Sequence, residues 1–212
     1  IDKLVKAHIE NPEFGIISPI HLNWDGSAVD RSFLNYITPF YVSDLNSDLI
    51  VRNFTKPIYE TKFINAAAWF IPKKVFKQVG GFDPIFFLYG EDDNFCQRLL
   101  YHGYKIGIIP NTTIFHNSSN FSHKTNSLGS ENYYNQFVNN FYIKYANINT
   151  NNFKKVIRFK MYLLKKAAFK LFFFKINEAK LYFEKYKRIN IKFIKKSVQM
   201  NRISNANYLN FK

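Results

Sequence analysis

A chain of 212 residues, 47% hydrophobic and 19% aromatic, is long enough for one domain with a real core, or a domain and an appendage, with Phe and Tyr supplying much of the apolar surface. Its net charge of +15 sits in one place: residues 1–150 carry 13 Lys/Arg against 13 Asp/Glu, whereas residues 151–212 carry 17 against 2. No stretch approaches the roughly 20 uncharged apolar residues of a membrane span, and a lone cysteine, Cys96, excludes an internal disulfide and suits a reducing compartment.

The opening Ile1-Asp2-Lys3 lacks the basic start and apolar run of a secretion signal. It has no initiator Met and the character of mid-helix, so a truncated N-terminus is expected. Leu4, Val5 and Ile9 keep helical spacing as far as Asn11-Pro12. Gly15-Ile16-Ile17-Ser18-Pro19-Ile20 suggests a short strand, and Asp25-Gly26 a hairpin turn. Residues 30–57 show no pattern that assigns them.

From Thr61 the pattern sharpens. Residues 63–71 are expected as a buried strand, and Pro72 opens a helix over 73–79 that Gly80-Gly81 closes. After Phe82-Asp83-Pro84, the run Phe86-Phe87-Leu88-Tyr89-Gly90 leads into a second helix. That helix starts at Glu91-Asp92-Asp93, whose carboxylates complement the positive end of the macrodipole; Phe95, Leu99 and Leu100 form its apolar stripe and Gly103 ends it. Two short strands follow over 105–110 and 112–115, with His116 just past the second. Residues 117–130 are Asn/Ser-rich, as in a surface loop or lid. A helix is expected over 131–145, with Tyr134, Phe137, Val138 and Phe141 on one side, and helical patterning resumes over 153–186.

Three features carry chemistry: the small-residue stretch from Asn65 to Trp69, the acidic helix start, and the strand-end histidine. Each alone is ordinary, because acidic first turns answer the helix dipole and most strand-end histidines are structural. Together they form a pattern. Ala66-Ala67-Ala68-Trp69-Phe70-Ile71-Pro72, Val79-Gly80-Gly81-Phe82-Asp83, Phe86-Phe87, Tyr89-Gly90-Glu91-Asp92, Arg98, Gly103-Tyr104, Pro110 and Phe115-His116 follow in order.

This order resembles the C-terminal half of the family 2 glycosyltransferases of the GT-A fold, especially the rhamnosyltransferase-like members, over about residues 12–120. The resemblance implies an α/β, Rossmann-like architecture: a mixed sheet flanked by helices, here N-terminally truncated and followed by a helical extension. It divides the chain into an acceptor-side catalytic half (1–125) and a basic C-terminal extension (126–212). By the same resemblance Asp92 is the general base for the acceptor hydroxyl, Glu91 its companion, and His116 a ligand of a divalent metal, Mg²⁺ or Mn²⁺. Asn65, Ala67, Trp69 and Asp93 fall where the family lines its substrate pocket, and Arg98 is expected to support the acidic helix.

The residue types suit that chemistry. An alcohol attacking an anomeric carbon loses its proton as the bond forms, and a carboxylate within hydrogen-bond reach accepts it. The departing nucleoside diphosphate develops charge that a hard cation offsets. One base and an assisted leaving group imply a single, inverting displacement. The chain departs from the family pattern at Asp93-Asn94, where an apolar residue and aspartate are usual, so Asp93 competes with Asp92 for the role of base, and register favours Asp92. The family's nucleotide-binding half, with its aspartate-rich metal motif, would precede Ile1; Asp25 and Asp30 do not replace it, and the fragment alone is expected to be inactive. His8, His21 and His102 are read as structural or solvated, His123 as the rival metal ligand, and Cys96 as packing.

The implied partners are a nucleotide-sugar donor and a glycan or lipid-linked acceptor, in cell-surface polysaccharide synthesis. Residues 153–196 interleave Lys and Arg with Phe, Leu, Ile and Met. Two readings stand for them: a solvated face on helices packed against the domain, or peripheral attachment to an anionic membrane, placing the protein in the cytoplasm at the inner face of the cell membrane. Nucleic acid has no motif in its favour. A rival of another class is a non-catalytic basic module on a degenerate transferase scaffold.

Overall fold

A computed structural model describes residues 1–38, 42, 44–86, 89–117, 127–150, 152–204 and 208. Among them, three strands form one mixed sheet in the order β1-β3-β2. β1 (Phe14–Asn23) runs parallel to β3 (Lys105–His116), and β2 (Tyr59–Thr61) pairs antiparallel to β3 on its other side. Parallel pairing requires a long crossover, which is the 81 intervening residues of loops and helices between Asn23 and Lys105. The expected hairpin at Asp25-Gly26 is present: Gly26 N–H donates to Asn23 O, and Leu22 bridges Val29.

Helices cover this sheet. α1 (Asp2–Glu10) packs on β1 and β3, and α2 (Arg31–Tyr36) on β1. α3 (Leu45–Val51) and α4 (Lys73–Val79) add Leu45, Val75 and Val79 to the core, and α5 (Glu91–Tyr101) packs on β3 with Phe95, Cys96 and Leu99. These join Ile16, Ile20, Phe33, Ile64, Ile106 and Ile108 in the main cluster. Each such buried side chain contributes roughly 1.5–3 kcal/mol of transfer free energy. At the sheet centre the packing is tight enough to require glycine: a Cβ on Gly107 would meet Ile58 at 2.4 Å and Phe14 at 2.7 Å.

The helices expected at 73–79, 91–101 and 131–145 form with those bounds. Two expectations are corrected. Residues 63–69 form no strand; only Phe70 pairs, with Ile17 across the free edge of β1. Ser18 Oγ donates to Ala68 O at 3.1 Å, and the Ala66 amide reaches Asp92, so side chains satisfy backbone groups that a ladder would have used. The two strands expected between 105 and 115 are one, with Pro110-Asn111-Thr112 out of register: Ile109 pairs Pro19 and Thr113 pairs Ile20. The helical patterning expected over 153–186 is present, in more than one helix. α7 (Phe153–Phe172) turns at Phe173 to Lys175 into α8 (Ile176–Arg188), and α9 (Ile191–Arg202) follows.

α6 (Glu131–Tyr145) and α7–α9 build a second cluster around Phe86, Phe141, Tyr142, Val156, Leu163, Ile189 and Ile194. The basic segment therefore does pack back on the domain. Several cations are used in doing so: Arg188 forks onto Glu131 at 2.7 and 2.8 Å, Lys160 donates to Ile189 O, and Lys185 lies over the Tyr133 and Phe137 rings. α9 is tied to the sheet domain through buried Asp83, which accepts Ser197 Oγ at 2.5 Å and Asn201 Nδ2 at 2.7 Å.

Candidate active site

The acidic helix start is built by its neighbours. Tyr89 and Gly90 both take positive φ (66° and 91°), turning the chain sharply into α5 and presenting Glu91, Asp92 and Asp93 in its first turn. Gly90 is compulsory there, because a Cβ would meet Ile143 at 2.8 Å and Phe86 at 2.9 Å as well as a strained backbone. Arg98, one turn and a half further on, is fully buried. It donates to the carbonyls of Val79 and Gly81 and stacks on Phe95, so it clamps α5 to the Gly80-Gly81 turn and its guanidinium does not face the acidic start.

Burial opposes ionisation of all this charge. Asp93 is pushed up from 3.8 to about 7, first by desolvation and then by the neighbouring charges of Asp92 and Glu91. Asp92 is also raised by desolvation, but the amides of Asp93 (2.8 Å) and Ala66 donate to its carboxylate and hold it down. The two aspartates therefore differ: backbone amides oppose the rise at Asp92, while only burial and like charge act on Asp93.

The 65–69 loop lies against this helix start. Trp69 packs on Phe95 and Phe82 at 5.7 and 6.5 Å between ring centroids. Asn65 Oδ1, Trp69 Nε1, Glu91 Oε2 and both amide atoms of Asn94 are buried without a hydrogen-bond partner. Most buried polar groups are paired, so each of these is a polar group left open to a ligand or to water. The loop thus gathers Asn65, Ala67 and Trp69 with Glu91, Asp92 and Asp93, as their separate positions in the sequence do not reveal. Asn94, noted in the sequence only as a departure, belongs with them.

The other side of the loop reaches the carboxyl ends of β1 and β3, where open α/β sheets hold ligands. Ser18, whose hydroxyl contacts Ala68 O, lies 3.0 Å from Nε2 of buried His21. Burial, reinforced by the charge of His116, lowers His21 to about 4, so it is neutral at physiological pH. His116 is partly exposed, and its Nδ1 lies 3.3 Å from Oδ2 of fully buried Asp30. A carboxylate only accepts, so Nδ1 is the donor in this contact and Nε2 is the nitrogen left for another partner. Asp30 is itself fixed as the cap of α2, accepting from Ser32 N and Phe33 N.

Buried His21 fits the structural role expected of it, whereas the pairing of Asp30 with His116 was not legible in the sequence. Asp30-Arg31-Ser32 carries a capping signal, but its imidazole partner is 86 residues away. His123 lies outside the described residues. Cys96 is buried, with burial pushing its thiol up, as expected of a packing residue.

With this geometry in place the comparisons with known proteins can be weighed. The family model described as glycosyl transferase family group 2 matches residues 2–174, most of the chain. The chain belongs to that family, and its mixed sheet flanked by helices agrees with such a domain. No curated protein and no solved structure matches it. The family match runs from α1 through α7 and so takes in the main cluster, but only the part of the second that precedes α8.

Proposed function

We propose that this chain carries the acceptor-side centre of an inverting, rhamnosyltransferase-like enzyme of the GT-A fold. It moves a hexosyl or deoxyhexosyl group from a nucleotide sugar to a hydroxyl of a glycan or lipid-linked acceptor. The setting is cell-surface polysaccharide synthesis, at the inner face of the membrane. Asp92 carries the reading. It is a carboxyl group withdrawn from water, with two backbone amides donating to it, on a rigid helix start and beside a loop with unpartnered polar groups.

The acceptor oxygen attacks the anomeric carbon, the bond from that carbon to the phosphate oxygen breaks, and the leaving diphosphate takes the electron pair. The hydroxyl proton passes to Asp92. Protonated Asp93 and the side chains of Glu91, Asn65 and Asn94 offer donors and acceptors for sugar hydroxyls. Trp69 gives an apolar wall of the kind sugar faces stack on.

His116 suits one coordination position of a divalent cation. Its Nε2 is directed by the Asp30 carboxylate behind Nδ1, an arrangement common behind metal-bound imidazoles. No group of three or more His, Cys, Asp or Glu side chains converges among the described residues, so they supply a single ligand and no cage. Mg²⁺ and Mn²⁺ accept such a site, taking their remaining oxygens from diphosphate and water. Bound there, the cation would offset charge on the leaving group.

The test, made in an enzyme that carries the nucleotide-binding half as well, is release of nucleoside diphosphate from a panel of nucleotide sugars, comparing wild type with Asp92→Asn and Asp93→Asn. Loss in the first and retention in the second supports the assignment. The reverse pattern moves the base to Asp93, and full activity in both removes this helix start from catalysis.

A further inference from the structure

α7 has two apolar faces. Val156, Leu163 and Ala167 are buried against the second cluster, whereas Ile157, Met161, Leu164 and Leu171, at spacings of four, three and seven, form a separate stripe that faces water. The stripe ends at the α7–α8 turn, where Phe172, Phe173 and Phe174 are 77%, 52% and 89% exposed. Phe174 also sits at φ +56°, a left-handed conformation that suits Gly or Asn and strains a bulky side chain. Neither packing nor turn chemistry accounts for phenylalanine at this position.

The surroundings are cationic. Lys154, Arg158 and Lys165 stand exposed beside the stripe, and Lys175 beside the turn. The two acidic residues of this segment are already engaged: Glu178 pairs with Lys170 and Lys175, and Glu184 with Lys187 and Arg188. An apolar stripe from Ile157 to Leu171, ending in three exposed aromatic rings and set in a segment whose cations far outnumber its two carboxylates, is complementary to an anionic bilayer surface and not to an acidic groove, which would leave the rings in water. No helix among the described residues is long and apolar enough to cross a membrane, so the contact is interfacial.

We infer that the α7–α8 turn and the outward stripe of α7 form a membrane-insertion edge, with Phe172 and Phe174 entering the boundary between headgroups and acyl chains. This rests on the membrane placement proposed above, narrows it from the basic segment as a whole to one edge, and is independent of the assignment of Asp92. The surface charge draws the edge to anionic lipid, and the rings make the attachment resistant to salt.

Flotation with phosphatidylglycerol/phosphatidylcholine vesicles tests this, using the whole chain as wild type, as Phe174→Gly, and as Phe172→Ser with Phe174→Gly. Wild type should float, with a fraction still bound at high salt, and the double variant should lose about tenfold in partitioning. Because glycine relieves the strained φ, Phe174→Gly should melt no lower than wild type, which separates lost binding from lost folding. Tryptophan at position 174 should be quenched by brominated lipid more than the native Trp24 and Trp69. If the aromatic variants bind like wild type while Arg158→Glu with Lys165→Glu does not, insertion is overturned and membrane placement by charge survives. No binding of wild type at low salt overturns both. A dimer in lipid-free solution that the same aromatic variants abolish overturns lipid as the occupant in favour of a second copy.

Discussion

The start of α5 and the turn between α7 and α8 break the burial rule in opposite directions. At the first, three carboxylates are drawn together and partly withdrawn from water; at the second, three phenylalanines are pushed into it. Each costs folding free energy, and each sits on a backbone with positive φ, at Tyr89-Gly90 and at Phe174. The surrounding packing holds both in place: Phe86 and Ile143 close on Gly90, and Val156, Leu163 and Ala167 anchor α7. Departures of this kind, supported by an otherwise well-packed structure, are where function concentrates. The contrast is one of solvent: the acidic site needs a dry pocket that makes carboxylates basic, and the aromatic turn needs a surface drier than water.

The largest effect should come at the acidic side. Asp92→Asn is expected to lower transfer by about a hundredfold or more while leaving the melting temperature within a few degrees, measured by diphosphate release and thermal denaturation. Next, Gly90→Ala should destabilise by roughly 1–3 kcal/mol in urea denaturation, because it adds both a strained φ and a clash with Ile143 and Phe86. Asp30→Ala should cost about 1–2 kcal/mol, as α2 loses its cap. On the other side of the comparison the sign reverses: Phe174→Gly should stabilise by about 1 kcal/mol, since the substitution removes backbone strain and an exposed ring. A loss there instead would mean that Phe174 is part of the packing, and the contrast would fail.

A further effect is a pH dependence. Asp93 is raised from 3.8 to about 7, so its burial is neutral to stability below about pH 4, where it is protonated folded or unfolded. As pH rises towards 7 the unfolded chain ionises first, and stability is lost through that window. Asp93→Asn should therefore melt like wild type near pH 4 and higher than wild type above pH 7. An equal difference at both pH values would separate Asp93 from the desolvated pocket.

Much of this was legible in the sequence where the signal is local. Helices α4, α5 and α6 follow from Pro72 and Gly80-Gly81, from Gly90 with the acidic first turn and Gly103, and from the apolar spacing of 134, 137, 138 and 141. The 63–71 segment misled because its apolar run fits a strand equally well, and the groups that capture its backbone, Ser18 at Ala68 and Asp92 at Ala66, are 50 and 26 residues away in the chain. α2 and α3 escaped notice because they are short and held by distant contacts, and the break at Phe173 carries neither glycine nor proline to announce it.

The sequence by itself determined the family, the acidic helix start, and the separation of a neutral part from a basic one, since spacing and charge are properties of the chain as written. Only the tertiary structure decided that Asp92 and Asp93 differ in basicity, because desolvation and the Ala66 amide come from elements brought near by folding. It alone set Asp30 behind His116, across parallel strands whose pairing no local pattern encodes. It also sorted the basic segment into cations that pack and an edge that does not, because burial depends on which face of a helix finds a neighbour.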